Sequence, residues 1–286
     1  MRMLSPRELA DALGVSESSL KRWVDAGRIR AARTEGGHRR IRLSEAVRFI
    51  RDSGTPIVRP ELLDMPELAA AEREAGDDAF LRYLVEGDAR AARGWVLGAY
   101  LGGASVAELC DGPIRDAMHT LGERWRHEAD GVFVEHRATD ACLQALAHLR
   151  GTFDPQPGAP LALGGTPEDD PYLLPSFMAA IVVASVGMRA VNLGPDTPVQ
   201  AMDQAVAHHH PRLVWISASA ALSPAQAGAI GAWLGALPRD VVAVVGGHHG
   251  AAIVEANPQV RHGDTMAELA AIATEVVAAA ARDGLS

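Results

Sequence analysis

Two runs of basic side chains near the start of the sequence, Lys21-Arg22 and His38-Arg39-Arg40, are its densest set of groups able to do chemistry. Guanidinium and ammonium groups clustered in this way bind phosphate oxygens. The hydroxyls of Ser18 and Ser19, just ahead of the first run, add short hydrogen-bonding groups that hold a protein on a duplex or touch base edges. Elsewhere the reactive residue types are thinner. Glu168-Asp169-Asp170 reads as a loop cluster in which Asp170 orients a neighbour rather than acting as a base, and His208-His209-His210 ahead of Pro211 reads as a solvated loop. The sequence holds no nucleophile elbow, P-loop or zinc-binding spacing, and no catalytic barrel of ~250 residues. It reads as a binding protein, not an enzyme.

The elements that would position the basic runs are legible around them. Ser5-Pro6 supplies an N-cap and first turn for a helix reaching Leu13, with Leu4, Leu9, Ala10, Ala12 and Leu13 as its apolar positions. Gly14 ends it. Ser16 caps a second helix with Leu20, Trp23 and Val24 on the inner face and Ser18, Ser19, Lys21 and Arg22 on the outer one. Two short helices joined through a glycine turn, the second basic on its free side, describe a helix-turn-helix. A strand-like run Arg28–Arg33, a Thr34-Glu35-Gly36-Gly37 turn and a return strand His38–Arg42 then form a hairpin wing, and Ser44-Glu45-Ala46-Val47 opens another helix. Charge follows the same division. Residues 1–59 carry 13 Lys and Arg against 7 Asp and Glu, whereas the whole chain stands at −9. A basic head on an acidic body is the footprint of a DNA-binding module joined to one that does not bind DNA.

Beyond the head the pattern changes twice. Residues 56–65 read as a linker, and residues 66–152 as a four-helix bundle broken at Gly87, Gly102-Gly103 and Gly112-Pro113. From 158 to 286, apolar strand-like runs at Leu161–Leu163, Ala190–Leu193, Leu213–Ile216 and Val241–Val245 alternate with Ala-rich helices. That alternation predicts a doubly wound, Rossmann-like parallel sheet with a ligand crevice at the carboxyl ends of its strands. The fold class is therefore multidomain, α and α/β, with a winged helix-turn-helix head at 1–55. Cys110 and Cys142, far apart, are the only cysteines. No signal-like apolar run opens the chain, and no stretch approaches the ~20 apolar residues of a membrane span. A cytoplasmic protein is the expectation.

Three motifs carry a family resemblance over nearly the whole chain. The helix, turn, helix and Gly36-Gly37-His38-Arg39-Arg40-Ile41 wing resemble the head of MerR-family and excisionase-type DNA-binding proteins. Trp125 followed after nine residues by Glu135-His136 is similar to the W-x9-EH of light-sensing, CarH/LitR-type MerR regulators. Asp170-Pro171-Tyr172-Leu173-Leu174-Pro175, 41 residues, Ser217-Ala218-Ser219, 26 residues and Gly246-Gly247 resemble the E/D-x-H-x-x-G, S-x-(V/T/S) and GG frame of cobalamin (B12)-binding domains.

The resemblance implies a photoreceptor repressor that binds double-stranded operator DNA and assembles with itself as a dimer or tetramer. Its signal would be adenosylcobalamin, held where bundle and sheet edge meet. Trp125 would cover the corrinoid's upper face, Glu135 would bond ribose hydroxyls, and His136 would be a competent axial ligand. Ser217 and Ser219 would hydrogen-bond a buried base, Gly246 and Gly247 would admit the nucleotide tail, and His248 stands at the crevice mouth. One position departs from the frame. Tyr172 occupies the place of the lower-ligand histidine, and a neutral phenol is a poor ligand for cobalt. Three readings therefore stay open: cobalamin bound without that histidine, a different tetrapyrrole (a haem with His136 or Tyr172 as axial partner, or a bilin), or no cofactor. In the last case the domain would dock proteins, such as an antirepressor.

Overall fold

The computed structural model describes residues 2–71, 78–125 and 131–283. The chain forms two compact units, one of Met1–Ser105 with Pro113–Thr152, the other of Val106–Gly112 with Phe153–Ser286.

The first unit begins with strand β1 (Met3–Leu4), and helix α1 (Pro6–Leu13) follows at once. Ser5 is a capping-box residue: its hydroxyl accepts from the Glu8 amide at 3.2 Å, while the Glu8 carboxylate accepts from the Ser5 amide at 2.7 Å. Gly14, in the left-handed region at φ +66°, turns the chain into α2 (Glu17–Asp25), which Ser16 caps through the Ser19 amide at 3.1 Å. Strand β3 (Arg39–Arg42) lies between β1 and β2 (Ala32–Arg33) in an antiparallel sheet, with Leu4 opposite Ile41 and Ala32 opposite Arg40. Two sequence expectations need correcting here. Leu4 belongs to a strand rather than to the first helix, and the run Arg28–Arg33 pairs only at its last two residues. Its first half wraps the end of α2, where the Arg28 and Ile29 amides bond the Trp23 carbonyl and Ile29 is buried.

Helix α3 (Leu43–Ser53) fixes that wrapped segment. Glu45 accepts from the Arg30 amide at 2.7 Å and from Arg48 at 2.5 and 2.9 Å, and Arg48 also donates to the Arg28 carbonyl at 2.9 Å. Burial alone would raise the Glu45 carboxyl, but the Arg48 guanidinium and the Arg30 amide outweigh it and hold the group below its ordinary value. Residues 56–65 lie along α1: the Val58 and Arg59 amides bond the Ala12 carbonyl, a 3-10 turn spans Pro60–Leu63, and Leu63 and Met65 are buried. The bundle consists of a short α4 (Leu68–Ala71), α5 (Ala79–Glu86), α6 (Ala89–Leu101), α8 (Arg115–Trp125) and α9 (Gly131–Arg150). Arg51 of α3 caps the end of α6, donating to the carbonyls of Tyr100 and Ala104 with its guanidinium 3.7 Å from the Tyr100 ring centroid.

The second unit takes α7 (Val106–Leu109) from within the helical stretch. Its sheet contains β4 (Leu161–Gly165), β5 (Arg189–Asn192), β6 (Leu213–Ser217), β7 (Val242–Gly246) and β8 (Arg261–His262), all parallel, in the order β5-β4-β6-β7-β8. Helices α10 (Leu173–Ser185), α11 (Val199–His209), α12 (Pro224–Gly235), α13 (Gly250–Ala256) and α14 (Met266–Asp283) intervene. Four strands were legible as apolar runs, and the fifth, a polar two-residue edge strand, was not. Leu161, Leu163, Val214, Ile216 and Val245 share one buried cluster with Met202, Val206, Ile230 and Ile253. Asp111, in the turn after α7, accepts the first amides of α14, Met266 and Ala267, at 2.8 and 2.9 Å.

The connections leave β4 in opposite directions toward β5 and β6, so the switch point lies at the carboxyl ends of β4 and β6. Asp170, fully buried, ties those ends together. One carboxylate oxygen accepts from the Ser219 and Ala220 amides at 2.6 and 2.9 Å, and the other accepts from the Tyr172 amide at 3.1 Å. Its own carbonyl accepts from Thr166 Oγ1 at 2.8 Å and from the Asp196 amide at 3.0 Å.

Two outcomes follow from these buried carboxylates. Asp170→Ala leaves amides of two loops without an acceptor, and should lower stability in urea unfolding by about 3 kcal/mol; a loss under ~0.5 kcal/mol would contradict the tie. Because the Glu45 value is lowered in the folded head, its contribution is complete above its ordinary 4.5 and is lost as pH falls through the lower folded value. The melting temperature of the first unit should therefore fall on acidification, and Glu45→Gln should flatten that fall, as read by calorimetry from pH 7 to pH 3.

Candidate functional site

On the head, α2 presents Ser18, Lys21 and Arg22 to solvent, with Ser19 half-buried beside them. Ser16 Oγ stands 2.9 Å from both the Ser18 and the Ser19 hydroxyl, so the two serines stiffen the start of the helix as well as lining its outer face. Lys21 pairs with Glu17 one turn back at 2.8 Å, an exposed i,i+4 contact screened by solvent and readily exchanged for a phosphate. In the wing, the Thr34 amide bonds the His38 carbonyl at 3.0 Å and the His38 amide bonds Thr34 Oγ1 at 3.2 Å, leaving the His38 ring exposed at the tip.

Arg39 and Arg40, expected to act alike, differ. The Arg39 guanidinium meets the Asp25 carboxylate at the end of α2 at 2.5 Å with its side chain 26% exposed, which makes it a strut between wing and recognition helix. Arg40, half-buried on the opposite side of the strand, lies near enough to Glu8 to lower that carboxyl, although the main cause there is the Ser5 amide. Arg33 is exposed on the neighbouring wing strand, opposite Arg39 in register. Its charge within the run Arg28–Arg33 is the sequence signal for it, but the run alone does not show which face of the strand it takes. Arg28 stacks 5.6 Å from the Trp23 and Phe49 ring centroids and so braces the end of α2.

In the bundle, Trp125 is the last residue of α8, and its side chain lies outside the described residues. Glu135 accepts from Thr139 Oγ1 at 2.9 Å one turn along α9. The His136 side chain is 76% exposed, with Nε2 3.5 Å from the Glu135 carboxylate. Val132 and Phe133 of the same first turns are exposed as well.

At the sheet edge, Asp170 is committed to three backbone amides, so it orients a loop. Tyr172 caps the start of α10 through its backbone and is 56% exposed. Pro175 falls on the third residue of α10, where an amide would lack a helical partner in any case. Ser217 is buried, paired with Gly246 in register, and lies on the same face of β6 as Trp215. The glycines face protein. A Cβ on Gly246 would meet the Gly263 carbonyl oxygen at 2.7 Å, and one on Gly247, at φ +92°, would meet the Ala218 carbonyl oxygen at 2.4 Å. Their small size therefore lets backbone segments close on each other, where a passage for a nucleotide tail had been expected. His248 and His249 are exposed beyond them, and the His249 amide bonds the Ala218 carbonyl at 2.9 Å.

Beneath Ser217 the indole of Trp215 is buried against β4, where a Cβ on Gly164 would lie 2.3 Å from the ring. Its Nε1 donates to Ser176 Oγ at 3.2 Å, and Ser176 donates to Asn192 Oδ1 at 2.8 Å. Sequence reading missed this chain because Trp215 and its neighbours looked like an ordinary apolar strand. Filled in this way, the space between α10 and the sheet does not fit a buried nucleotide tail. No group of three His, Cys, Asp or Glu suited to a metal ion occurs among the described residues, nor is any described helix long and apolar enough to cross a membrane.

Comparison with known proteins agrees with this architecture. The helix-turn-helix domain family matches residues 3–53, and the B12 binding domain family matches residues 77–150, the stretch of α5 to α9. The chain is 27% identical to the HTH-type transcriptional repressor CarA of Myxococcus xanthus over 228 residues, covering 76% of this chain and 77% of that protein. The structure of the monomethylamine corrinoid protein of Methanosarcina barkeri is similar at a TM-score of 0.55 and 17% identity, over 69% of this chain and 96% of that one. The fold is thus a helix-turn-helix head followed by the helical and Rossmann-like parts of a cobalamin-binding-type fold.

Proposed function

We propose that this chain is a DNA-binding transcriptional regulator, a repressor, and not an enzyme. The observation that carries the reading is the outer face of α2: Ser18, Lys21 and Arg22 stand in solvent on a capped helix that the wing buttresses through Arg39 and Asp25. Such a helix enters a major groove while the flanking cations take phosphates. Double-stranded operator DNA is the partner, and His38, Arg40 and Arg33 are the wing's contacts. The chain acts with itself as a dimer or tetramer, so that paired heads meet repeated operator elements.

The signal we assign is a corrinoid or another tetrapyrrole, haem or bilin, read in the second half of the chain and passed on as a change of assembly. The B12 binding domain match supports this, and Glu135 and His136 of α9 are the side chains through which the ligand would be held. Light sensing belongs to the same reading. With Tyr172 turned to solvent, no histidine is supplied from that position, and cobalamin would keep its own base on the cobalt. A second reading is favoured by the closed sheet edge: the α/β unit needs no ligand to complete it, and serves as a surface for assembly or for an antirepressor. An absorption spectrum of the purified chain separates the two.

Gel-shift titration on operator DNA checks the head. Arg22→Ala and Arg40→Ala should each weaken binding and reduce the salt slope by about one unit per lost phosphate contact. Arg39→Ala should weaken binding with the slope nearly kept, because it loosens the wing instead of removing a contact; a full unit lost there would return Arg39 to the phosphate-binding set. With adenosylcobalamin added, the spectrum should show cobalt still carrying cobalamin's own base. A spectrum of histidine on cobalt would contradict the account of Tyr172.

A further inference from the structure

Below Ser217 and Gly246, at the switch point, the layer between α10 and the sheet is filled by a side chain unusual for an apolar strand. Leu213, Trp215 and Ser217 alternate along one face of β6, and the largest of them stands directly below the serine. The indole is 2% exposed and lies against β4 at a residue, Gly164, whose missing Cβ is what admits it. Its one ring N–H is met by Ser176, itself fully buried in α10. Ser176 donates to Asn192 Oδ1, which also accepts from the Gly194 amide at 3.2 Å. A buried serine in the first turns of a core helix is costly unless it is satisfied. Here Ser176 accepts from Trp215 and donates to the half-buried Asn192.

An indole is a flat, fused five-and-six-membered heteroaromatic with one polar ring nitrogen. The benzimidazole base of cobalamin has the same ring skeleton. We propose that Trp215, seated on Gly164 and bonded to Ser176, is an internal stand-in for the nucleotide base of a corrinoid, so that this chain selects ligands whose tail stays outside the α/β unit. The inference rests on the corrinoid reading given above and names the residue that sets its specificity. Ligands of the favoured class are a corrinoid with its base still on the metal, or a corrinoid that has no nucleotide at all.

The test compares adenosylcobalamin with adenosylcobinamide, which lacks the nucleotide, by titrating full-length chain and following absorbance. Wild type should bind the two within about threefold of each other, because the tail makes no contact that adds affinity, and bound cobalamin should keep its base on cobalt. Trp215→Ala opens the slot and should favour cobalamin over cobinamide by about tenfold or more, a shift of about 1.4 kcal/mol, whereas Trp215→Phe should behave as wild type. Circular dichroism verifies that each variant is folded, and the wild-type comparison decides without any variant. Wild type preferring cobalamin about tenfold, with its base released from the metal, overturns the proposal. Binding of neither corrinoid by wild type overturns the proposal together with the corrinoid reading on which it rests, even where Trp215→Ala binds cobalamin. Binding of neither by either chain overturns both.

Discussion

A carboxylate with no exposed surface has to be surrounded by donors, and the arrangement around Asp170 shows what that requirement imposes on the α/β unit. The donors are amides of the loop after β6 and of the residue that opens α10, so one side chain holds a strand end and a helix start in a single geometry. Charge-assisted bonds of this kind are about twice as strong as neutral ones. The Ser217–Ala220 turn is held from below by the Ala218 amide on the Gly246 carbonyl, and from the side by the His249 amide on the Ala218 carbonyl. Close approach at Gly247 completes the closure. The edge of the sheet at which doubly wound folds take ligands is therefore rigid and self-satisfied. Trp215, Ser176 and Asn192 do the same for the layer beneath it.

The head uses paired charges differently. Of its many cations, several act as structural braces. Arg48 holds Glu45, and through it the backbone at Arg30; Arg28 stacks on Trp23 and Phe49; Arg39 reaches Asp25; Arg51 closes the end of α6. What remains turned outward on α2 and the wing is a smaller and better-defined set, and it is presented on elements whose angle to one another is fixed by those braces. Preorganisation of that kind lowers the cost of ordering side chains on binding. Arg51 has a second consequence. Because it belongs to the helix that supports the wing, yet caps a helix of the bundle, the head is anchored to the module that the B12 binding domain family matches.

Local chemistry made much of this readable in advance. Ser5 with Glu8, Ser16, Gly14 and the Gly36-Gly37 turn announce themselves, because caps and turns are satisfied by residues three or four positions away. The alternation of apolar runs with helical periods likewise specified a parallel sheet. What sequence spacing located without resolving their contacts were the groups whose partners come from distant parts of the chain. Arg39 and Arg40 are adjacent and chemically identical, yet strand alternation sends one to Asp25 and the other to the far face. Gly246-Gly247 matches a ligand-binding frame in type and spacing, while the backbone of Ala218 and Gly263 occupies the room those glycines leave.

The amino-acid sequence alone determined the kinds of element, their order, the basic outer face of α2 and the absence of a histidine at Tyr172, since each depends on residue type or short-range periodicity. Only the tertiary structure decided what those residues do. Whether Asp170 orients a ligand or clamps backbone amides, and whether the layer below Ser217 is a slot or a packed indole, depends on atoms that are 39 to 50 residues apart along the chain. Contacts of that range are set by how α10, β4 and β6 stack. No pattern read along a single strand contains them, because Trp215 looks the same in a strand whether the space in front of it is open or is the place it fills.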